Sequence, residues 1–412
     1  MKKIILALIS IAAVAMTMAI PAGAASAMRR SAPPTATSPI NYLPTKGGAA
    51  SLATLGKLGS GNLAYHGGPV QTTPRVYLVF WGKWWHSACV GQQGHGLADE
   101  NYLINFFNAR GTGPDLLSNT MTQYHGVPGQ RSEFSGKVLY GAVADCSNPP
   151  ASATQAQLAA VAVAYANYFK AHGQLINANT QIIVVSPSGT NPGGGFGSSY
   201  CAWHSWASDG SLELSYTNEP YMPDQGGNCG ADFLPSGPSP ALQGWSIVGG
   251  HEFAESVNDP QLSAWWDAAG FENGDKCAWS GVFTQSIGSS KYVEQPEWSN
   301  VGSACALSDG VFVPSPGTQT TRVNHAVSLQ IHASATTVYC TEPFGSACTS
   351  PVTVHRSVSF TASGLPAGLH ISSTGKITGT PTHIATYTVH VTGTEAVTTV
   401  HATATFTWKV TT

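Results

Sequence analysis

Gly249-Gly250-His251-Glu252-Phe253-Ala254-Glu255, closed by Asn258-Asp259-Pro260, brings one imidazole and three carboxylates within nine residues. Such groups are scarce elsewhere, since charged side chains make up only 9% of the chain. On a helix, positions i, i+4 and i+8 share one stripe of the surface. The spacing therefore predicts His251, Glu255 and Asp259 on one side of a helix, with Glu252 alongside. An imidazole and carboxylates converging in this way suit a divalent cation, and the neighbouring carboxylate is placed to act as a base. The competing reading is a simple i, i+4 His–Glu pair among surface acids, because a His-Glu-x-x-Glu string often arises by chance.

Zinc peptidases of the gluzincin type take two helical ligands four residues apart, a Glu beside the first as base, and a later Glu. His251, Glu255, Glu252 and Glu272 fit those positions. Glu255 stands where the usual motif has a second His. That gives a harder donor set, which binds zinc less tightly and suits manganese or calcium better. A divalent ion with an open position would polarise a carbonyl and acidify water, with Glu252 taking the proton and passing it to the leaving amine. The third ligand stays open between Glu272, which is favoured slightly, and Asp259, whose place before Pro260 also suits a helix end. Asp267 and Asp275 flank Glu272 and are candidates to orient the ligands or to bind calcium, although the full EF-hand register is missing. His204, in an aromatic stretch near Cys201, is either an added ligand or a structural histidine. No G-x-S-x-G elbow and no phosphate-binding glycine loop occurs.

The elements that must position these groups read as a mixed α/β layer. Arg75–Trp81 and Gln181–Ser186 are buried-strand patterns. Asn101–Phe107 is helical, and Thr154-Gln155-Ala156-Gln157 is a capping box opening an Ala-rich helix that ends near Gly173. The stretch from Gly193 to Gln243 reads as loop-rich and aromatic, and Gly244–Asp259 as the metal-motif helix. Strand, helix, strand order predicts a mixed sheet with flanking helices. After Pro314-Ser315-Pro316-Gly317 the chain turns Thr- and Val-rich with period-2 alternation, as in Tyr387–Thr392 and Ala404–Val410. Short strands between Gly/Pro turns predict a small all-β sandwich.

Lys2 and Lys3, an apolar run to Ile20 and Ala22-Gly23-Ala24 describe a secretory signal over residues 1–27. Residues 28–62 read as a flexible leader, 63–312 as the α/β body and 316–412 as the sandwich. The eight cysteines suit an oxidising compartment, and sequential pairing is the simplest arrangement. A net charge of −3 without a basic cluster argues against nucleic acid as a partner, and no later segment would insert into a membrane. The expected partner is an extracellular protein or a cell-wall polymer. The oligomeric state is left open.

Two resemblances follow from longer motifs. Phe360-Thr361-Ala362-Ser363-Gly364-Leu365-Pro366, then Ser372-Ser373-Thr374-Gly375-Lys376-Ile377-Thr378-Gly379-Thr380-Pro381, closely resembles the Ig-like (cadherin-like) repeats of bacterial surface and secreted proteins. That implies a spacer or adhesive module, to which the Cys340–Cys348 stretch is an insertion. Tyr65-His66-Gly67-Gly68-Pro69-Val70 with Val76–Trp84, Gly195–His204 and Val257–Pro260 resembles the phosphate-induced, Exordium-like family of extracellular proteins. Its bacterial branch reads His-Glu-x-x-Glu, then Trp-x-Asp, Glu and Gly-Asp-x-Cys, matched here by Trp266-Asp267, Glu272, Gly274-Asp275 and Cys277. Plant members share the Asn-Asp-Pro step without the His-Glu pair. The resemblance implies export and cell-wall association. Two functions are therefore expected: a secreted zincin-like metallopeptidase, or a non-catalytic cell-wall binding or adhesion protein with a structural metal or none.

Overall fold

The computed structural model describes residues 38–54, 61–85, 89, 96–112, 115–127, 130–134, 136–342, 344–396 and 400–412. The secretory signal expected over residues 1–27 lies outside them. In chain order the body comprises β1 (Asn41–Pro44), α1 (Lys46–Thr54), β2 (Ala64–Tyr65), β3 (Arg75–Trp81), α2 (Leu97–Ala109), α3 (Leu116–Met121) and β4 (Leu139–Asp145). It continues with α4 (Gln155–Ala171), β5 (Thr180–Val185), β6 (Tyr200–Ser208), β7 (Glu213–Glu219), α5 (Gln243–Asn258), β8 (Trp265–Trp266), β9 (Phe283–Ile287), β10 (Ser290–Glu294), β11 (Glu297–Ser299) and β12 (Ala304–Phe312).

A six-stranded sheet in the order β1-β6-β7-β5-β3-β4 forms the centre. Strands β4, β3, β5 and β7 run parallel, while β6 and β1 add antiparallel to one edge. The parallel strands are near-continuous apolar runs because helices cover both of their faces. Val76 to Phe80 and Ile182 to Val185 are fully buried. Helix α4 starts at the expected capping box, with the Thr154 hydroxyl and the Gln157 side chain bonding reciprocally. It covers the face that carries Tyr216, whose hydroxyl reaches Gln155.

Helix α5 covers the opposite face, which is polar in its middle. Alternation on β7 sends Ser215, Thr217 and Glu219 toward α5. Ser215 donates to Ser256 Oγ, and Gln181 Nε2 donates to Thr217 Oγ1 and to Glu252 O. All sixteen residues of α5 are buried. A helix so enclosed must satisfy every polar side chain from within the protein.

Two expectations are corrected. Residues 41–54, read as part of a flexible leader, form β1 and α1, and β1 pairs with β6 over Asn41↔His204 to Pro44↔Tyr200. The reason is that β6 would otherwise present a bare edge, and a four-residue strand closes it. The stretch 193–243 holds two strands, β6 and β7, whose mixed polar and aromatic pattern hid them because both faces of the sheet are covered.

The four disulfides pair sequentially: Cys89–Cys146, Cys201–Cys229, Cys277–Cys305 and Cys340–Cys348. They fit an oxidising compartment. Among the described residues no helix is long and apolar enough to cross a membrane.

Beyond β12 the chain is all β: β13 (Gln319–Arg322), β14 (Val327–Gln330), β15 (Ser334–Tyr339), β16 (Val352–Arg356), β17 (Val358–Ser363), β18 (Leu369–Ile371), β19 (Lys376–Gly379), β20 (Ala385–Glu395) and β21 (His401–Thr411). Sheets β13-β21-β20-β17 and β14-β19-β18 enclose a separate core around Ile377, Val389, Val391, Phe406 and Trp408. The third sheet, β11-β12-β15-β16, runs from the body into this region. Strand β12 belongs to both, so no free linker separates them at residues 313–315.

Candidate metal centre

Helix α5, strands β1, β6 and β7, and the loop 267–275 converge on a group of buried ionisable side chains. The helix supplies His251, Glu252 and Glu255, all wholly buried, as its stripe geometry requires. Strand β6 supplies His204, also wholly buried, and the loop supplies Glu272 and Asp275, each 3% exposed.

Two sets of three ligands emerge, each with its ligand atoms within 4.8 Å of one another: His251, Glu255 and Asp275, and His204, Glu255 and Glu272. His251 Nε2 is 3.1 Å from Glu255 Oε1 and 3.8 Å from Asp275 Oδ1. His204 Nδ1 is 3.4 Å from Glu255 Oε2 and 3.4 Å from Glu252 Oε2, and its Nε2 is 3.6 Å from Glu272 Oε2. Glu255 thus serves both sets, one oxygen to each. His251 and Glu272, expected together, fall in different sets. Asp275 takes the place expected of Glu272 beside His251, and His204 joins Glu272.

Asp259 does other work. Its Oδ1 accepts from Ser263 N (2.5 Å) and Ala264 N (2.7 Å), closing the turn after α5, and it belongs to neither set. The position before Pro260 already favours that helix end. Asp267 Oδ1 likewise accepts from Ala269 N and Phe271 N, and its Oδ2 pairs with Lys276 Nζ at 2.8 Å. It shapes the loop that carries Glu272 and Asp275.

Three contributors were not singled out from the sequence. Asn41 in β1 donates through Nδ2 to Glu272 Oε2 (2.5 Å), Asp275 Oδ2 (2.8 Å) and Glu255 Oε2 (3.3 Å). Gln295 Nε2 lies 2.9 Å from His251 Nδ1 and 3.0 Å from Gly274 O, which fixes the imidazole plane. Glu219, at the end of β7, is wholly buried against Gly249, where a Cβ would stand 2.8 Å from Glu219 Oε1. The available signal for Glu219 is the all-polar face Ser215, Thr217, Glu219 on a strand whose opposite face begins with Leu214 and Tyr216. Asn41 carries no such signal, since it lies in a composition typical of linkers.

Crowding sets the protonation. Burial pushes Asp275 up to about 7, with Glu255 adding to it, and burial also holds Glu272 and Glu219 well above the usual carboxylate range. Burial lifts Asp259 to about 6. Burial works against a charged His251, but Glu255, Glu252 and Asp275 outweigh it and carry the imidazole up to about 10. For Glu255 burial is likewise outweighed, by His251 and His204, which bring it down to about 2. Glu252 is raised by burial despite both imidazoles.

The residues fit a metal. Both nitrogens of His204, Nε2 of His251, both oxygens of Glu252 and Oε1 of Glu272 are buried without a hydrogen bond among the described residues. Such groups are costly to bury unless paired or ligating. The donors are imidazole nitrogen and carboxylate oxygen, which suit zinc or manganese, with calcium favouring the oxygens.

No curated protein matches the chain. Two solved structures from Bacteroides fragilis show a local likeness, one described as a "putative alpha-galactosidase/melibiase" and one as a "putative alpha-galactosidase". They share 16% and 18% identity, each over 25% of this chain and 18% of that chain, with TM-scores of 0.18. The chain therefore spans less than a fifth of either protein. The model of the family described as "Putative Ig domain" matches residues 310–411, which begin inside β12. The β-rich C-terminal region is thus similar to an Ig-like domain, joined to a mixed α/β body whose buried His/Glu clusters could hold a metal.

Proposed function

We propose that the protein is an exported metal-dependent hydrolase that cuts peptide bonds in extracellular protein, with Glu252 as its base. One observation carries this reading. Glu252 lies on the ligand helix, 3.4 Å from His204 Nδ1, yet belongs to neither ligand set and has no hydrogen bond on either oxygen. A purely structural centre has no need of that extra buried acid. A divalent ion held by these residues would polarise the scissile carbonyl and acidify water. Glu252 would accept the proton of that water at a carboxylate oxygen and later hand it to the leaving amine. The raised affinity of Glu252 for protons, caused by burial, suits it to the role. His204 and His251 would hold the ion and, with Asn41, orient the carboxylates.

In this reading residues 1–27 direct export, and the body 63–312 is an Exordium-like extracellular domain. The motif that suggests it lies beside the centre: Tyr65 pairs with Trp265, and His66 stacks on Trp266 at 3.7 Å, ahead of the loop that bears Glu272. The Ig-like region would act as an adhesive or spacing module toward protein or cell-wall polymer.

A second reading has one observation in its favour. The centre is closed from solvent, with its ligands at most 3% exposed, as suits a structural ion in a non-catalytic cell-wall binding protein. Metal analysis of the purified protein and of Glu252→Gln, with each assayed on casein and on cell-wall glycans, separates the two. The peptidase reading expects metal in both proteins and casein cleavage in the wild type only. Glycan binding without cleavage, or equal cleavage by both proteins, would sink it.

A further inference from the structure

The cluster gathers more buried ligand groups than one ion takes. Glu219, Glu252, Glu255, Glu272 and Asp275 are five carboxylates at 0–3% exposure, with two imidazoles between them. The cations close by in sequence or space are engaged elsewhere: Lys276 pairs with Asp267, and Arg110 with Asp115 and Glu294.

The geometry repeats the same message. The two ligand sets have identical donor composition, one imidazole and two carboxylates, and share only Glu255. Glu255 faces them with different oxygens, Oε1 at 3.1 Å from His251 Nε2 and Oε2 at 3.4 Å from His204 Nδ1. A carboxylate presented in this way could bridge two cations. His251 Nε2 and both nitrogens of His204 are buried without a hydrogen bond among the described residues, so each imidazole has a nitrogen to offer its set.

We infer that the centre is dinuclear: one divalent cation between His251, Glu255 and Asp275, a second between His204, Glu255 and Glu272, with the Glu255 carboxylate bridging them. The inference rests on the reading of this cluster as a metal centre, but not on the hydrolase. Two-metal sites place their ions roughly 3.5–4 Å apart and clamp both the attacking and the leaving oxygen of a displacement. A pair of borderline-hard ions such as manganese or zinc matches the mixed nitrogen and oxygen donors.

The test is titration of the chelator-stripped full chain with Mn2+, with stoichiometry read by calorimetry and elemental analysis and the loaded protein examined by electron paramagnetic resonance. Two Mn2+ per chain and an exchange-coupled spectrum are expected. Glu272→Gln and Asp275→Asn should each lose one equivalent and restore the six-line signal of an isolated ion. Saturation of the wild type at one Mn2+ with that six-line signal overturns the pair while leaving a metal centre. No binding at all overturns both. The wild-type spectrum decides the matter even if a variant fails to fold.

Discussion

Asn41 stands directly across the β1–β6 ladder from His204, and both side chains reach into one group of carboxylates. The edge strand is therefore part of the centre and not merely a cover for the sheet. Its amide hydrogens stand among the acids where a cation would otherwise draw them together. Hydrogen bonds to charged groups are worth about 1.5–3 kcal/mol each in net terms.

Asn41→Ala should therefore destabilise the chelator-treated protein by about 2 kcal/mol, measured by urea denaturation. Asn41→Asp should be weaker still without metal, and regain stability when a divalent ion is added. If neither substitution changes the denaturation midpoint, Asn41 has no place in the centre.

Gly274 has φ −70°, which alanine adopts freely, so a substitution there probes space alone. Its Cβ would meet His251 Nδ1 at 2.7 Å and Glu255 Oε1 at 2.9 Å. Gly274→Ala is expected to weaken metal binding by at least about 10-fold while the fold persists, since misplacing groups that orient ligands typically costs 10–100-fold. Unchanged affinity in calorimetry would show that the loop has slack.

Glu100 in α2 is 2% exposed, and burial raises its carboxyl to about 7. The group is protonated more readily folded than unfolded. Its contribution is then most favourable below about 4.5, and is lost as pH climbs from there through 7. Glu100→Gln should thus gain about 3 kcal/mol over wild type at pH 8 and nothing at pH 4. Denaturation curves at the two values check this, and a gain independent of pH would contradict it.

Arg356 in β16 bonds Asp309 in β12, which is only 2% exposed and also accepts from Thr337 Oγ1 at 2.9 Å. Removing one member of a buried pair costs about 3–5 kcal/mol. Arg356→Leu is expected at the lower end because the guanidinium keeps 15% exposure. In the double variant with Asp309→Asn most of the loss should return. Additive losses would mean that the pair is not coupled.

Much of the scaffold was legible because local signals and tertiary demands agreed. The run Arg75–Trp81 is a strand over those same residues, and the Thr154/Gln157 box opens α4 as written in the sequence. The helix from Gln243 to Asn258 follows the same logic, with Asp259 at its end. The ligand grouping was less legible. A helical stripe shows which side chains share a face, but not which partner comes from another chain segment. Glu255 has two oxygens, and only the fold reveals that it groups with Asp275 in one set and with His204 in the other. Asn41 was hidden because its strand is stable only as an edge addition to β6, a long-range contact that composition does not encode.

The Cys340–Cys348 loop lies against the body: Gly345 N donates to Trp279 O at 3.0 Å and Cys348 N to Val282 O at 2.9 Å. Together with the β12–β15 ladder this fastens the Ig-like region at two separated points. A pulling force on the C-terminal end would load both attachments in shear, and single-molecule stretching should show no early hinge extension. From β12 that load passes to β11, whose Glu297 accepts from Asn273 Nδ2 at 2.9 Å, the residue between Glu272 and Gly274. Tension on the tail would then reach the loop that bears Glu272 and Asp275, making the Ig-like region a mechanical handle on those two carboxylates.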